Sequence, residues 1–523
     1  MNYEPDPSTN PKSFLPLRPG KGERPLRYLN PYPQELALDE GAFNLRINTG
    51  ATRVPDELLA VAEELVVDLK TVSNVLVSLN TKEADPGIRM EIRDLGLSAE
   101  GYELTITAEG IHIAGQDRAG LYYGTQTLLQ IAAFEQGVLP RLRIRDWPSY
   151  KWRAVMLDMG RGVYNQALIQ RCIRIMARLK LNLLHLHLFD DEIMGVRFNN
   201  LELGKENPHA LPIDALADIV KYARQYHVTV SPEIESWGHV NSVIYHYPEC
   251  YGAPGMWGGS SFGIGARTLE ILEQMYNEVV PHLEDECFVH LGMDEANWAV
   301  LPDMEGREEI TPEWLVDQLY DILMTVGKRH GKKITMRLWA DHGGRPIPER
   351  IRDRVIVEPW NYWELARADI EEKVQRYGKG ASPFLIGAGK PAMAQNGAFG
   401  ATRLWSQAAR NTSNCEGVNI TLWGGNLVER YLISLYAGAG YVWNAENIQE
   451  PEERDSHREI LRGDLTARMM SWQTLFPDAE DSAIIRDRGP GVHVGYYVTG
   501  PDAGKPVAPT AFPVNLTVKD ETQ

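Results

Sequence analysis

From about residue 151 onward, short apolar runs alternate with amphipathic helical patterns, and no other feature constrains the fold of this chain as strongly. The stretch 166–180 is an example, because Ile169, Ile173 and Met176 fall on one face of a helical period. Strands separated by helices in this way predict a (β/α)8 barrel, here over residues 149–455. The eight runs that we interpret as its strands are Ala154–Asp158, Leu181–Leu188, Val228–Ile234, Cys287–Met293, Ile334–Trp339, Val355–Trp360, Phe384–Ala388 and Val418–Trp423.

A doubly wound open sheet would show the same alternation of strands and helices. That fold carries a glycine-rich phosphate-binding loop after its first strand. The residues after Asp158 contain no such loop. The barrel is therefore the favoured fold.

The residues ahead of the barrel predict two further segments. Residues 1–30 carry six prolines and little periodicity, which indicates an N-terminal arm. Residues 31–148 mix strand-like and helical patterns, as in a small α+β domain that ends near Asp146-Trp147-Pro148. The predicted strands of this domain are Asn44–Asn48, Val75–Leu79, Ile88–Ile92, Tyr102–Ala108 and Gly110–Ala114, and its predicted helices cover 57–70 and 119–133. We expect the C-terminal extension, residues 456–523, to pack on the barrel.

Composition limits the partners of the chain. A formal net charge of -18 argues against nucleic acid and anionic membrane surfaces, because both require a basic footprint. No apolar run has the length of a membrane span, and the polar N-terminus shows no secretory signal, so we expect a cytoplasmic protein. The 4 cysteines are scattered and predict free thiols, and no cofactor is indicated. The oligomeric state stays open.

Two adjacent carboxylates, Asp294 and Glu295, follow the apolar run that ends in His290-Leu291-Gly292-Met293. Ionised carboxylates are costly to bury without partners. Neighbouring side chains on a strand point to opposite faces, so the two can share a pocket only where the strand turns into a loop. The carboxyl ends of barrel strands provide such turns, and catalytic residues lie there.

Polar and aromatic side chains recur at the other predicted strand ends, and in a barrel these ends converge on one face. A pocket lined by carboxylates, histidines, one arginine and tryptophans has no packing rationale. The side chains in question are Asp158 and Arg161; His187, Asp190 and Asp191; Glu233, Glu235 and His239; His290; Trp339 and Asp341; Trp360; and Trp423.

Two chemistries fit such a pocket. In a glycosidase, Glu295 is a general acid, Arg161 holds hydroxyls and the tryptophans enclose a pyranose ring. In a metallohydrolase, His185-Leu186-His187 with His239, His290 and Asp341 binds a metal ion. The two aspartates that follow His187 and the apolar run around it make the metal site the less favoured hypothesis.

The motifs resemble those of glycoside hydrolase family 20, the β-N-acetylhexosaminidases, over both predicted domains. His290-x-Gly292-x-Asp294-Glu295 is the most specific of them. The other matching stretches are Gly120-Leu121-Tyr122-Tyr123-Gly124-Thr125-Gln126-Thr127, Asp146-Trp147-Pro148, Asp158 to Arg161, His185-Leu186-His187 with Asp190-Asp191, and Pro232-Glu233-Ile234-Glu235 with Gly238-His239.

The resemblance implies an exo-acting, retaining hydrolase that releases terminal β-linked GlcNAc or GalNAc by substrate-assisted catalysis. It implies that Glu295 is the acid and base, that Asp294 orients the substrate acetamido group, and that Arg161 binds the 3- and 4-hydroxyls. His239, backed by Glu235, would support Glu295. The remaining implied site residues are Asp190 at the pocket floor, Trp339, Trp360 and Trp423 as walls, and His187 and His290 in support.

The chain also departs from the family pattern. Met293 replaces a glycine of the acid motif, and Trp423-Gly424-Gly425 stands where many members have Trp-x-Glu. That glutamate helps to recognise the 4- and 6-hydroxyls, and Asn426 and Glu429 are candidates to replace it. No equivalent of the seventh-strand tyrosine that holds the acetamido oxygen is found between Gly387 and Gly400. A sugar-binding protein that has lost catalysis is therefore an alternative.

Overall fold

The computed structural model of the chain describes residues 25–26, 28–45, 55–77, 87–255, 258–297, 310–340, 347–362, 367–390, 399–424 and 432–445. The predicted C-terminal extension and most of the predicted N-terminal arm lie outside the described residues. The end of that arm packs on the protein: the ring of Tyr28 stacks on Phe134 at 4.0 Å, and the Asn30 side chain donates to the Tyr436 carbonyl at 2.6 Å.

Ahead of the barrel, five strands form a mixed sheet with two helices. These elements are β1 (Glu35–Asn44), α1 (Leu59–Ser73), β2 (Ile88–Ile92), β3 (Tyr102–Ile106), β4 (Ile111–Gly115), α2 (Arg118–Phe134) and β5 (Val138–Asp146). The strand order is β1-β5-β3-β4-β2, in which only β2 and β4 pair in parallel. Helix α2 packs on the sheet and contacts both α1 and the barrel helix α3 (Gln166–Arg178), which is why residues 120–133 are all buried.

The sequence predicted this small domain only in part. Strands β2, β3 and β4 and both helices lie where they were expected. The prediction of a strand at Val75–Leu79 was wrong over 75–77, which are not strand, and residues 78–79 lie outside the described part. The strand expected at Asn44–Asn48 instead ends at Asn44 as β1, and β5 was missed.

The predicted (β/α)8 barrel is confirmed: eight parallel strands close in the order β6-β7-β10-β13-β14-β15-β16-β17. They are β6 (Trp152–Asp158), β7 (Leu183–His187), β10 (Thr229–Glu233), β13 (Glu286–His290), β14 (Lys333–Trp339), β15 (Val355–Glu358), β16 (Phe384–Lys390) and β17 (Cys415–Leu422). Short pairs in the loops are β8 (Val196–Arg197) with β9 (Leu211–Pro212) and β11 (Tyr251–Pro254) with β12 (Ser260–Phe262).

Helices between these strands cover the outside of the barrel. After α3 they are α4 (Ala215–Gln225), α6 (Ala266–Val279), α7 (Pro312–Arg329), α8 (Arg367–Gly378), α9 (Phe399–Ala409) and α10 (Leu432–Trp443). Their apolar faces and the outward strand residues form the main core. The short α5 (Asn241–Ile244) lies in the loop after β10 and contacts β12. Within the described part of the chain, no helix has both the length and the apolar character required to cross a membrane.

The barrel interior is apolar at one end and polar towards the other. A small cluster that includes Ala154, Leu183 and Leu385 lies among the strands, apart from the helix-side core. Above it, Nε of Arg337 donates to Glu358 at 2.6 Å, and both side chains are fully buried. Buried charges persist only when they are paired in this way. This bonded layer supports the strand ends that carry the candidate site.

Candidate active site

The pair Asp294-Glu295 lies just past the end of β13, where the chain leaves strand geometry. The backbone there is left-handed, with φ of 60° at Gly292, 74° at Met293 and 47° at Glu295. The turn brings both carboxylates to one imidazole: Nε2 of His239 lies 3.6 Å from Oδ2 of Asp294 and 3.4 Å from Oε2 of Glu295. The two acids therefore face the same group, although neighbours on a strand would point apart.

Glycines allow the close approach that this turn requires. A Cβ atom at Gly292 would overlap the carboxyl group of Glu235, and one at Gly238 would overlap the carbonyl oxygen of Asp294. Gly292 also has a positive φ, which side chains rarely tolerate. Its place in the His-x-Gly motif thus has a steric cause.

His239 links two pairs of carboxylates. Its Nδ1 lies 3.1 Å from both Oδ1 of Asp190 and Oδ2 of Asp191, opposite the Asp294-Glu295 pair. Burial disfavours charge on the imidazole, but the carboxylates of Asp190 and Asp294 raise the pKa of His239 well above its ordinary value. His239 is therefore an imidazolium at neutral pH.

Glu235 does not back His239 as we expected from the sequence; Asp190 and Asp191 occupy that position. The Glu235 carboxyl instead accepts a hydrogen bond from the Met293 amide at 3.0 Å. Burial, together with the charges of Asp294 and Glu233, raises the pKa of Glu235 well above its ordinary value. Through this hydrogen bond Glu235 stabilises the turn that carries the acid pair.

Arg161 is held at the mouth of β6 by three carboxyl groups. Its Nη1 lies 3.3 Å from Asp158, its Nη2 lies 2.8 Å from Asp190, and its Nε donates to Glu192 at 3.1 Å. The guanidinium also lies 5.5 Å from the ring centroid of Trp423. Arg161, the acid pair and the tryptophans thus belong to one site through Asp190 and His239.

Asp190 is the junction of that site. One oxygen meets Arg161 and Nε2 of His187, each at 2.8 Å, and the other meets His239. Burial opposes its charge, but Arg161 and His239 hold the pKa of Asp190 well below its ordinary value. It therefore stays ionised and fixes three cations around it.

Glu233 forms a second junction beneath the site. One oxygen accepts from the indole of Trp339 at 2.6 Å and lies 3.0 Å from Nδ1 of His290. The other lies 2.5 Å from Nδ1 of His187 and 2.9 Å from Nε2 of His185. Burial opposes a charge on His187, but Glu233 and Asp190 raise the pKa of His187 to about 10. His187 and His290 thus lie in a buried network that supports the site floor.

Three groups of described side chains have potential metal-ligand atoms close together. They are His185 with Glu233 and His290; His187 with Glu233 and Glu235; and Asp190 with Asp191 and His239. Glu233, which belongs to two of these groups, and His239, in the third, contact protein side chains in this arrangement. Asp341, part of the predicted metal site, lies outside the described residues.

Aromatic rings form one side of the site. Trp339, Trp423 and Tyr362 cluster with Met156, and Trp360 packs against them. Trp339 and Trp423 have ring centroids 5.9 Å apart, and Trp360 stacks on Tyr362 at 5.4 Å with an interplanar angle of 14°. The three predicted tryptophans are thus brought together rather than dispersed through the core.

The seventh and eighth strands explain part of the departure from the family pattern. A Cβ at Gly387, in β16, would lie 2.9 Å from Cβ of Trp360 and 3.0 Å from the Trp339 ring. Glycine at this position therefore makes room for the aromatic wall. At the end of β17, the Gly424 amide donates to Asp158 at 2.8 Å. The candidates Asn426 and Glu429 lie outside the described residues.

Sequence reasoning missed two residues of the site, Glu192 and Tyr362. Glu192 is the third acidic residue in a row after β7, and such a run requires a cation nearby. Arg161 was the candidate, because it is the one arginine at the predicted strand ends. Tyr362 follows Trp360 by two residues, the spacing of one strand face. Both signals were present but neither is specific alone.

Comparison with known families matches both parts of the chain. Residues 150–377 match "Glycosyl hydrolase family 20, catalytic domain", and residues 27–147 match "Glycosyl hydrolase family 20, domain 2". Together these matches cover both the sheet domain and most of the barrel.

Among curated proteins, a beta-hexosaminidase of Porphyromonas gingivalis is 27% identical over 343 residues, 57% of this chain and 44% of its own length. A beta-hexosaminidase of Akkermansia muciniphila is 31% identical over 227 residues, 38% of this chain and 46% of its own length. The chain thus spans about half the length of the curated relatives that it matches.

Solved structures share the fold. A chitobiase of Flavobacterium johnsoniae superposes with a TM-score of 0.68 at 19% identity, covering 88% of this chain and 74% of that one. A Streptomyces plicatus N-acetyl-beta-hexosaminidase has a TM-score of 0.66 at 20% identity, covering 87% of this chain and 97% of that one. At these identities the likeness concerns the fold alone.

Proposed function

The chain belongs to glycosyl hydrolase family 20, and from this premise we propose that it is an exo-acting, retaining β-N-acetylhexosaminidase that releases terminal β-linked GlcNAc or GalNAc. Its substrate class is therefore a carbohydrate with a terminal N-acetylhexosamine. The names of the beta-hexosaminidase relatives support the proposal.

The observation that carries the proposal is the single imidazole of His239 facing both Asp294 and Glu295. Glu295 is the more exposed acid, with 24% of its side chain accessible against 10% for Asp294. A proton donor must reach both the leaving group and water, whereas an orienting carboxylate needs only the substrate amide. The unequal exposure supports the division of roles.

In the first step, the acetamido oxygen of the substrate attacks the anomeric carbon as the glycosidic C–O bond breaks. Glu295 gives its proton to the leaving oxygen and becomes a carboxylate, which the charge of His239 stabilises. Asp294 accepts a hydrogen bond from the acetamido N–H and offsets the positive charge of the oxazolinium ring. The nucleophile comes from the substrate, so one protein acid suffices.

In the second step, water attacks the anomeric carbon from the face that the leaving group vacated. Glu295 takes a proton from that water. The bond between the anomeric carbon and the oxazolinium oxygen breaks, its electrons return to that acetamido oxygen, and the product keeps the β configuration. Arg161 binds the sugar hydroxyls, and Trp339, Trp360 and Trp423 enclose the ring and acetamido group. Asp190 and His187 hold Arg161 and His239 in place.

The test is hydrolysis of 4-nitrophenyl β-GlcNAc followed by proton NMR of the first-formed sugar. The proposal predicts release of β-GlcNAc, which then mutarotates, and tight inhibition by the cyclic thiazoline that mimics the oxazolinium intermediate. An α product or no inhibition would contradict it. Treatment with a chelator and restoration with zinc tests the metallohydrolase alternative on the same preparation.

A second candidate, a sugar-binding protein without catalysis, is favoured by Gly424-Gly425 where many family members have a glutamate two residues after the tryptophan. Calorimetry with GlcNAc separates the two. Binding without any hydrolysis of the nitrophenyl substrate would favour the second candidate.

A further inference from the structure

Glu192 holds the outer edge of Arg161, a contact that the mechanism above does not use. The Nε–H of Arg161 donates to Oε1 of Glu192 at 3.1 Å, while Asp158 and Asp190 occupy the other two nitrogens. One guanidinium thus meets three carboxyl groups. The carboxylates of Asp158 and Asp190 alone already exceed the single positive charge of Arg161.

The second oxygen of Glu192 has an unusual environment. Oε2 is shielded from solvent and has no hydrogen-bond partner among the described residues. The Glu192 side chain is 15% exposed, against 0% for Asp158 and 1% for Asp190, so it is the outermost of the three. Burying an ionised oxygen without a partner is costly, which favours the neutral acid.

The surrounding charges act in the same direction. Three groups besides Arg161 face Glu192: Asp158 at the end of β6, and Asp190 and Asp191 after β7. Burial is the largest effect, Arg161 opposes it, and the three carboxylates add to it, so that the pKa of Glu192 is raised to about 8. Glu192 is therefore mostly neutral at pH 7.

We propose that Glu192 is a positioning residue that sets the affinity of Arg161 for sugar hydroxyls. Neutral Glu192 orients the guanidinium and leaves its charge available to the substrate. When Glu192 loses its proton to solvent, it becomes a third anion on Arg161 and competes with the sugar for the same donors. The inference rests on the proposed function, because that function assigns Arg161 to the sugar.

The kinetic test compares KM and kcat for 4-nitrophenyl β-GlcNAc in wild type, Glu192→Gln, Glu192→Ala and Glu202→Gln between pH 6.5 and 9.5. We expect KM of the wild type to rise about tenfold through a midpoint near pH 8, with a smaller change in kcat. Glu192→Gln mimics the neutral acid, so its KM stays flat across this range, and Glu192→Ala shows a raised KM throughout. Glu202→Gln, on a side chain that is 69% exposed, is the matched control and follows the wild type.

A second readout does not depend on turnover. The Nε–H resonance of Arg161, assigned by its disappearance in Arg161→Lys, is followed by NMR over the same pH range. It titrates near pH 8 in the wild type and not in Glu192→Gln. If KM of the wild type and KM of Glu192→Gln changed with pH in parallel, or if the Arg161 resonance did not shift with pH, the inference would be overturned. An inactive wild type whose Arg161 resonance titrates would instead refute the hexosaminidase activity alone.

Discussion

At the scale of single residues, the site depends on charges that compensate one another within a buried network. His239 faces Asp294 and Glu295 on one side and Asp190 and Asp191 on the other. Sequence reasoning found these residues because they follow strand ends. It placed Glu235 behind His239, where the structure has Asp190 and Asp191, because spacing along the chain does not show which carboxyl group lies next to an imidazole.

Replacing Glu295 by glutamine removes the proposed proton donor without changing its shape. We expect kcat to fall by about 10²–10⁴-fold for substrates with poor leaving groups, the usual contribution of a general acid. Aryl substrates with good leaving groups need less protonation and lose less in the first step. The measurement is turnover of chitobiose and of the nitrophenyl glycoside, with thermal unfolding to show an intact fold. Wild-type turnover of chitobiose would refute the assignment of the acid.

Replacing His239 by glutamine removes the imidazolium. Folding raises the pKa of His239, so its charge stabilises the native state fully below the ordinary pKa of about 6.5, and this stabilisation is lost as pH rises through the folded-state value. The difference in unfolding free energy between wild type and His239→Gln is therefore largest at pH 6 and narrows towards alkaline pH. Urea unfolding at pH 6, 8 and 9.5 measures it. A difference that is constant with pH would exclude a charged His239.

At the scale of elements, the barrel strands were predictable because they are continuous apolar runs buried on both faces. Each lies within three residues of its predicted position. β5 was missed although the arginines at 141, 143 and 145 alternate with the buried Leu142 and Ile144, which is the pattern of a half-buried strand; only Pro140 argues against a strand there. β1 was misplaced because most of it is exposed, so its sequence lacks the regular alternation of a half-buried strand.

The turn after β13 makes a steric prediction. Gly292→Ala combines a φ of 60° with an overlap onto the Glu235 carboxyl. Gly331→Ala is the matched control, since Gly331 has a φ of 67° and no atom within 4 Å of the added Cβ. We expect the control to lose about 1–2 kcal/mol from left-handed strain, and Gly292→Ala to lose more and to disturb the acid pair. Equal losses in urea unfolding would show that the close approach to Glu235 is unimportant.

At the scale of the whole molecule, the sheet domain and the barrel meet through a buried polar junction that the sequence did not reveal. Asp146 accepts from the Tyr102 hydroxyl at 2.6 Å, from Lys180 at 3.0 Å and from the Trp443 indole at 2.9 Å. These partners come from the sheet, the end of α3 and α10, distant segments whose pairing no local pattern encodes. The junction holds the base of the barrel against the small domain.

Breaking the junction on one side should be costly. Lys180→Met leaves Asp146 buried without its cation, and we expect a loss of about 3–5 kcal/mol in unfolding free energy. Adding Asp146→Asn should recover part of that loss, because both charges are then absent. Lys333→Met, which removes the exposed partner of Glu286, is the control and should change stability by less than about 1 kcal/mol. If Lys180→Met lowered the free energy of unfolding as little as Lys333→Met does, the stabilising role of the Lys180–Asp146 pair would be contradicted.

At the scale of the whole molecule, the proposed activity requires the substrate to supply its own nucleophile. The most direct test is a comparison of kcat/KM for 4-nitrophenyl β-GlcNAc and 4-nitrophenyl β-glucoside with the same preparation. Participation of the acetamido group predicts rapid release from the first and almost none from the second, because the glucoside carries a hydroxyl at C2 and therefore has no acetamido oxygen to attack the anomeric carbon. Comparable rates from the two sugars would contradict substrate-assisted catalysis at Asp294 and Glu295.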